Sequence, residues 1–186
     1  MIANPKYLSL AELEAGLEHV RQSPQDGGVL VLIVRRPQTD ERESLEQAAL
    51  DLNEGLVGDN WKVRGSSRTG DGSAHPEMQL TLMNSRLISL IAQEQEHWAL
   101  AGDQLFVDLD LSVRNVPPGT QLALGSAVIE VTGQPHTGCQ KFAGRFGPDA
   151  LKFINSPLGR QLQLRGINAR VVQSGVIRVG DGVKKI

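Results

Sequence analysis

The chain has 186 residues, a hydrophobic fraction of 40% with only 4% aromatics, and 19 basic against 21 acidic side chains. Balanced charge and scarce rings argue against a nucleic-acid partner, which needs a basic stripe for phosphates and aromatic platforms for bases. A single cysteine excludes an internal disulfide. No apolar run approaches the ~20 residues of a membrane helix, so a cytoplasmic chain with no membrane partner is expected.

The first residues, from Met1 to Tyr7, lack a basic start and an apolar run, so no leader is expected. Ser9 with Glu12 three residues on forms a capping box, and Leu10, Leu13, Leu17 and Val20 follow at helical spacing. Ser23-Pro24 and Gly27-Gly28 end that helix, which makes residues 1–28 a helical N-terminal segment before a main domain over 29–186. Val29 to Val34 is a continuous apolar, mostly β-branched run and predicts a buried strand. Asp40 with Glu43 predicts a second helix whose face is Leu45, Ala48, Ala49 and Leu52, capped by Gly55. Residues 64–77 are polar and glycine-rich, and read as a loop.

Gln79 to Met83 predicts a strand. Leu87, Ile88, Ile91, Ala92 and Trp98 then carry a helical pattern ending at Gly102. From there the period becomes two, with Leu105, Val107, Leu109 and Leu111 on one face. Pro117-Pro118-Gly119 and Gly125-Ser126 read as turns around strands at Leu122–Leu124 and Ala127–Thr132. Pro148 opens a short helix through Ile154. Ala169–Val172 and Val176–Val179 read as a hairpin about Ser174-Gly175. Strands and helices do not alternate regularly, so the expected fold is mainly β (α+β), a barrel with a few peripheral helices, rather than a doubly wound sheet.

Chemistry centres on Cys139, in the segment from Gly133 to Gly147. A lone cysteine is ordinarily an inert small hydrophobe. Here a strand and a Gly/Pro-rich loop lead into it, His136 precedes it by three residues, and Lys141 and Arg145 follow. Positive neighbours favour a thiolate, the form that attacks electrophiles or binds soft metals. The thiol is therefore expected at the end of a strand, facing a cleft. A closed zinc site is disfavoured, because His136 and Cys139 have no second Cys/His pair nearby. A Cys139–His136 dyad is equally weak, since two residues three apart in a loop need not face each other. Arg64 and Arg68, among serines and glycines, are candidate anion donors; a merely solvated loop is the alternative. Asp59 and Trp61 lie just upstream, as a candidate pocket wall or as ordinary packing. There is no Gly-x-Ser-x-Gly elbow, Walker A loop or dinucleotide fingerprint.

In chain order, Gly55-Leu-Val-Gly-Asp-Asn-Trp61, Gly102-Asp-Gln-Leu-Phe-Val-Asp-Leu-Asp-Leu-Ser112, Pro118-Gly-Thr-Gln-Leu-Ala-Leu-Gly125, Val128-Ile-Glu-Val-Thr132, the Cys139 loop, Ala169-Arg-Val-Val172 and Gly180-Asp181 resemble the MOSC domain. That domain is named for the C-terminal part of molybdenum-cofactor sulfurases, and the resemblance runs from about Val29 to Val183. It implies a β-barrel with peripheral helices and one functional cysteine, here Cys139. In molybdenum-binding members that thiolate ligates the metal of a pterin cofactor; in sulfurase-like members it is proposed to carry or receive sulfur. The resemblance thus implies Cys139 as metal ligand or persulfide carrier and a molybdenum-pterin cofactor. With the residues around the thiol, it makes Asp59, Trp61, Arg64, Arg68, His136, Lys141 and Arg145 the candidate cofactor-binding set. The implied activity is reduction of N- or S-oxygenated small molecules. The chain shows no pyridoxal-phosphate desulfurase region and no ferredoxin-like cysteine set, so a separate electron-donor or sulfur-donor protein is expected. Three positions depart from the pattern: in Pro135-His-Thr-Gly-Cys139, His136 and Gly138 stand where typical bacterial members have the Arg and second Pro of Pro-Arg-x-Pro-Cys, and Gln104 stands where members often have Asn. The alternative is a non-catalytic barrel that binds a small anion and whose cysteine is structural.

Overall fold

The computed structural model describes residues 5–186; the leader-free reading of Met1–Asn4 lies outside them. The elements are α1 (Leu10–Arg21), β1 (Gly28–Arg35), β2 (Glu43–Leu45), β3 (Gln47–Asp51), β4 (Gly55–Leu56), α2 (Trp61–Arg64), β5 (Leu80–Asn84), α3 (Ser85–Ala92), β6 (Leu105–Asp108), β7 (Gln121–Leu124), β8 (Ala127–Val131), α4 (Gln140–Phe146), α5 (Pro148–Asn155), α6 (Pro157–Gln161), β9 (Ile167–Gln173), β10 (Gly175–Arg178) and β11 (Gly182–Lys185). Among the described residues no helix is long and apolar enough to cross a membrane.

Seven strands close into a barrel in the order β11-β7-β8-β9-β5-β6-β1, with β11 returning to β1 through Gly28↔Val183. All the barrel pairings are antiparallel except β5–β6. The remaining edge of β1 takes β2, while β10, β3 and β4 form a small second sheet. The two-residue period of β6 explains the two-layered core. Leu105 and Val107 point into the barrel with Leu30, Ile33, Leu122 and Ile129. Phe106 points outward, under a helical layer that includes Leu13, Ile88, Phe142 and Phe153. Fully burying one such side chain stabilises by about 1.5–3 kcal/mol, so both faces of β6 hold the fold.

Local signals place several elements as expected. The Ser9–Glu12 capping box is fully formed at α1. Gly102 ends the helical stretch in the left-handed conformation (φ +88°), where a Cβ would be strained. Two expectations are corrected. Residues 40–55 are not a helix: Asp40 has φ +63°, and the segment becomes β2, β3 and β4, paired with β1 and β10. Leu45, Ala48, Ala49 and Leu52 mimic helical spacing, but Ala48 and Leu50 are the inward residues of a strand whose partners override local propensity. The segment around Ser174-Gly175 is not a hairpin either. It is a corner, after which the chain leaves β8 and β5 to pair with β3. Gly175 stands against the Ser126–Ala127 backbone, too close for a Cβ.

Candidate functional site

The loop after β8 carries Cys139 to the start of α4, so the thiol sits one loop beyond the strand end expected for it. Its carbonyl accepts the amides of Phe142 (2.9 Å) and Ala143 (3.1 Å). Its side chain makes no cap bond and is exposed. The loop is fastened immediately before it. The Gly138 amide donates to Asn155 Oδ1 (3.0 Å), and Asn155 Nδ2 donates back to the Gly138 carbonyl (3.2 Å). A Cβ on Gly138 would crowd Ile154 and Leu151, so a glycine lets the loop lie on α5.

Cys139 borders a pocket of about 270 Å³ whose walls carry Arg36, Arg42, Arg64, Lys141, Arg145 and Arg165. Three of these cations are locked in place. Arg36 forks onto Asp59 with two 2.8 Å bonds and donates to the Gly102 carbonyl (2.9 Å). Arg165 donates to Asp103 (2.6 Å) and the Ala101 carbonyl (3.0 Å), and lies over the Phe142 ring at 5.2 Å. Arg145 spans from the Leu100 carbonyl (2.7 Å) to Asp40 (3.2 Å). Arg42, Arg64 and Lys141 have no carboxylate partner among the described residues. Burial, then the neighbouring guanidinium of Arg145, holds Arg42 below the ordinary arginine value; burial and Arg36 do the same to Arg64. The wall therefore carries an excess of positive charge that an anion would relieve.

One wall residue, His136, faces a fully buried carboxylate. The His136 ring is 3.6 Å from Asp103 across Nδ1 and Oδ1, and both atoms lack a hydrogen-bond partner among the described residues. Burial first, then Arg165, Arg36 and Arg68, keeps His136 well below 6.5, so the ring is neutral at pH 7. Burial pushes the Asp103 carboxyl up, and Arg165 offsets part of that rise. Asn60 Oδ1, Asn168 Oδ1 and Arg42 Nε, on other wall residues, are buried and unpartnered as well. Folded proteins leave few such atoms, and here they gather at one pocket.

Of the residues singled out in the sequence, Cys139, Arg64, His136, Lys141 and Arg145 come together at this pocket. Arg68 is exposed on its loop and acts on His136 only through its charge. Asp59 and Trp61 do not line the wall. Asp59 is the buried counter-ion of Arg36 and accepts the Trp61 amide (3.0 Å), while Trp61 is packed inside. Sequence reasoning missed Arg36, Arg42, Arg165, Asn60 and Asn168. For Arg36 a signal exists, an arginine ending a buried apolar strand that must find a partner. Gln104 is a structural clamp: its side chain accepts from the Thr81 amide (2.7 Å) and donates to the Gln79 carbonyl (3.1 Å). Among the described residues no three His, Cys, Asp or Glu side chains converge to hold a metal ion by themselves.

The family model for the MOSC domain matches residues 69–184. No curated protein matches the chain. Solved structures share its fold: the YUAD protein from Bacillus subtilis (TM-score 0.63, 13% identity, 85% of this chain and 94% of that one), YiiM from Geobacillus stearothermophilus (0.56, 18%, 86% and 75%) and YiiM from Escherichia coli (0.55, 19%, 85% and 69%).

Proposed function

The chain belongs to the MOSC domain family, and from that premise we propose that the pocket beside Cys139 binds a phosphate-bearing molybdenum-pterin cofactor, with the Cys139 sulfur as the protein's ligand to the metal. One observation carries this reading: an exposed, uncapped thiol opens onto a pocket with three cations that have no carboxylate partner among the described residues. The residues present fit such a group. Arg42, Arg64 and Lys141 would take its phosphate, whose charge cannot be buried unpaired. Asn60 and Asn168 offer unpartnered acceptors for ring N–H groups. One protein sulfur suffices where the cofactor brings further ligands of its own. Bound there, the cofactor would supply redox chemistry, reduction of an N- or S-oxygenated small molecule with electrons from a separate donor protein.

The chain's own residues orient and shield. Asn155 holds the loop that presents the thiol, and the Arg36–Asp59 and Arg165–Asp103 pairs keep two guanidiniums rigid at the wall. Neutral His136 offers one ring nitrogen as a donor and the other as an acceptor, so it adds no charge to the site.

A second reading rests on the exposure of Cys139, which suits a thiol that carries a persulfide from a sulfur-donor protein. Measuring molybdenum in protein purified from its native host, beside the intact mass of the chain, separates the two. Stoichiometric metal in the native chain and none in Cys139→Ser supports ligation. Absent metal with a persulfide mass shift on Cys139 supports sulfur carriage. Neither signal would leave a small-anion-binding barrel with a structural cysteine.

A further inference from the structure

A second cavity of about 340 Å³ is lined by Pro135, His136 and Thr137 of the Cys139 loop, and His136 and Arg165 line both it and the basic pocket. Asn155, Arg160 and Gln163 contribute its polar lining; Pro135 and Ile154 give it an apolar side. Among the described residues no acidic side chain lines it. Arg160 is exposed and spends only its Nε, on the Asn155 carbonyl (3.1 Å). Arg165 is 9% exposed, and its Nε is the donor left over after Asp103 and Ala101 take the other two nitrogens. Gln163 Oε1 and His136 Nδ1 are likewise buried without partners among the described residues. The backbone around this cavity is held in costly conformations. Gln163 sits at φ +47°, rare outside glycine. Gly166 sits at φ +106°, where a Cβ would overlap the Leu82 carbonyl and lie 3.4 Å from His136 Nδ1.

We propose that this second cavity binds a small organic carboxylate, its charged end on Arg160 and Arg165 and its hydrocarbon end against Pro135 and Ile154. The two amino nitrogens that Arg160 leaves unspent form a fork that matches a carboxylate in shape and charge, and Arg165 adds its one remaining donor, Nε. A bare inorganic anion would satisfy the arginines but not the apolar side. The cavity also touches the machinery that presents the thiol. Asn155 holds Gly138, the residue before Cys139, and His136 faces both spaces. A carboxylate bound here therefore changes how Cys139 is presented. The inference needs no molybdenum and stands apart from the cofactor reading.

The test titrates the full chain with benzoate by calorimetry and follows Cys139 alkylation by iodoacetamide. Saturable binding is expected, weakened about tenfold or more by Arg160→Gln, because a charge-assisted bond is lost. Lys141→Gln and Cys139→Ser should leave the affinity within about twofold, because those side chains line the basic pocket and not this cavity. Saturating benzoate should change the alkylation rate of Cys139. Three outcomes overturn the proposal: no saturable binding, binding indifferent to Arg160→Gln, or binding weakened as much by Lys141→Gln, which would move it to the basic pocket. Inorganic phosphate binding as tightly as benzoate with the same dependence on Arg160 would overturn the carboxylate class.

Discussion

Cys139 has little packing to lose, because its side chain is exposed and caps nothing. Cys139→Ser should therefore shift stability by no more than about 1 kcal/mol in denaturant unfolding, even as metal or persulfide is lost. A larger destabilisation would make the residue part of the core. Asp59 is the opposite case. Its side chain is fully buried and carries the guanidinium of Arg36, a residue 6% exposed. Asp59→Asn leaves a buried charge without its counter-ion and should cost about 3–5 kcal/mol, read as a lowered unfolding midpoint. His136 sets a pH dependence whose sign follows from its lowered value. Below about 6.5 the unfolded chain binds a proton that the folded chain refuses, so stability is full above that value and falls as pH drops towards the folded value. His136→Gln should flatten the fall in unfolding midpoint between pH 7 and about pH 5; an unchanged slope would place the titration elsewhere.

At the scale of elements, the Asn155–Gly138 clamp is what turns a glycine-rich loop into a fixed presentation of the thiol. Asn155→Ala strands both polar groups of Gly138 and should cost about 1–3 kcal/mol. It should also raise the iodoacetamide reactivity of Cys139; equal reactivity would mean that the loop holds its shape without α5. Elements were legible where one local rule decided them. The capping box marked α1, Pro148 marked α5, and the alternation from Leu105 marked β6. The segment 40–55 was illegible because its apolar spacing satisfies both periods over a few residues, and only the partners β1 and β10 choose between them. The corner at Ser174-Gly175 was misread for a related reason. Two short β-branched runs about a glycine look alike whether they pair with each other or with strands 40 to 130 residues away. The pocket divides the same way. Cys139, Lys141 and Arg145 sit near one another in sequence and could be grouped by eye. Arg36, Arg42 and Arg165 are scattered basic residues until the barrel sets them on one wall.

At the scale of the whole molecule, the site depends on a closed barrel, because its wall draws on the ends of β1, β5 and β9 and the loops between them. Closure is made last in the chain. β11 pairs with β7 over Leu122–Leu124 and with β1 at Gly28 and Val29. The seam continues through Leu30, which donates to the Asp181 carbonyl (2.9 Å) and accepts from Gly180 (2.8 Å). Val183 is fully buried, and Lys185 donates its amide to Asp26 (2.8 Å) and its Nζ to Asn115 (2.8 Å). Removing residues 182–186 would take away few atoms but two strand interfaces at once. It would bare the edges of β1 and β7 as templates for pairing with other chains. It would also open the barrel core beside Leu30, Leu122 and Leu124 to water. The expected outcome is loss of cooperative thermal unfolding together with aggregation, rather than a modestly lowered midpoint. A truncated chain that stayed monomeric and melted within about 5 °C of the full chain would show that β11 decorates the barrel instead of closing it. The seam and the thiol loop lie in different parts of the barrel, so the full chain carrying Val183→Ala should lose stability without any change in the charge or composition of the basic wall.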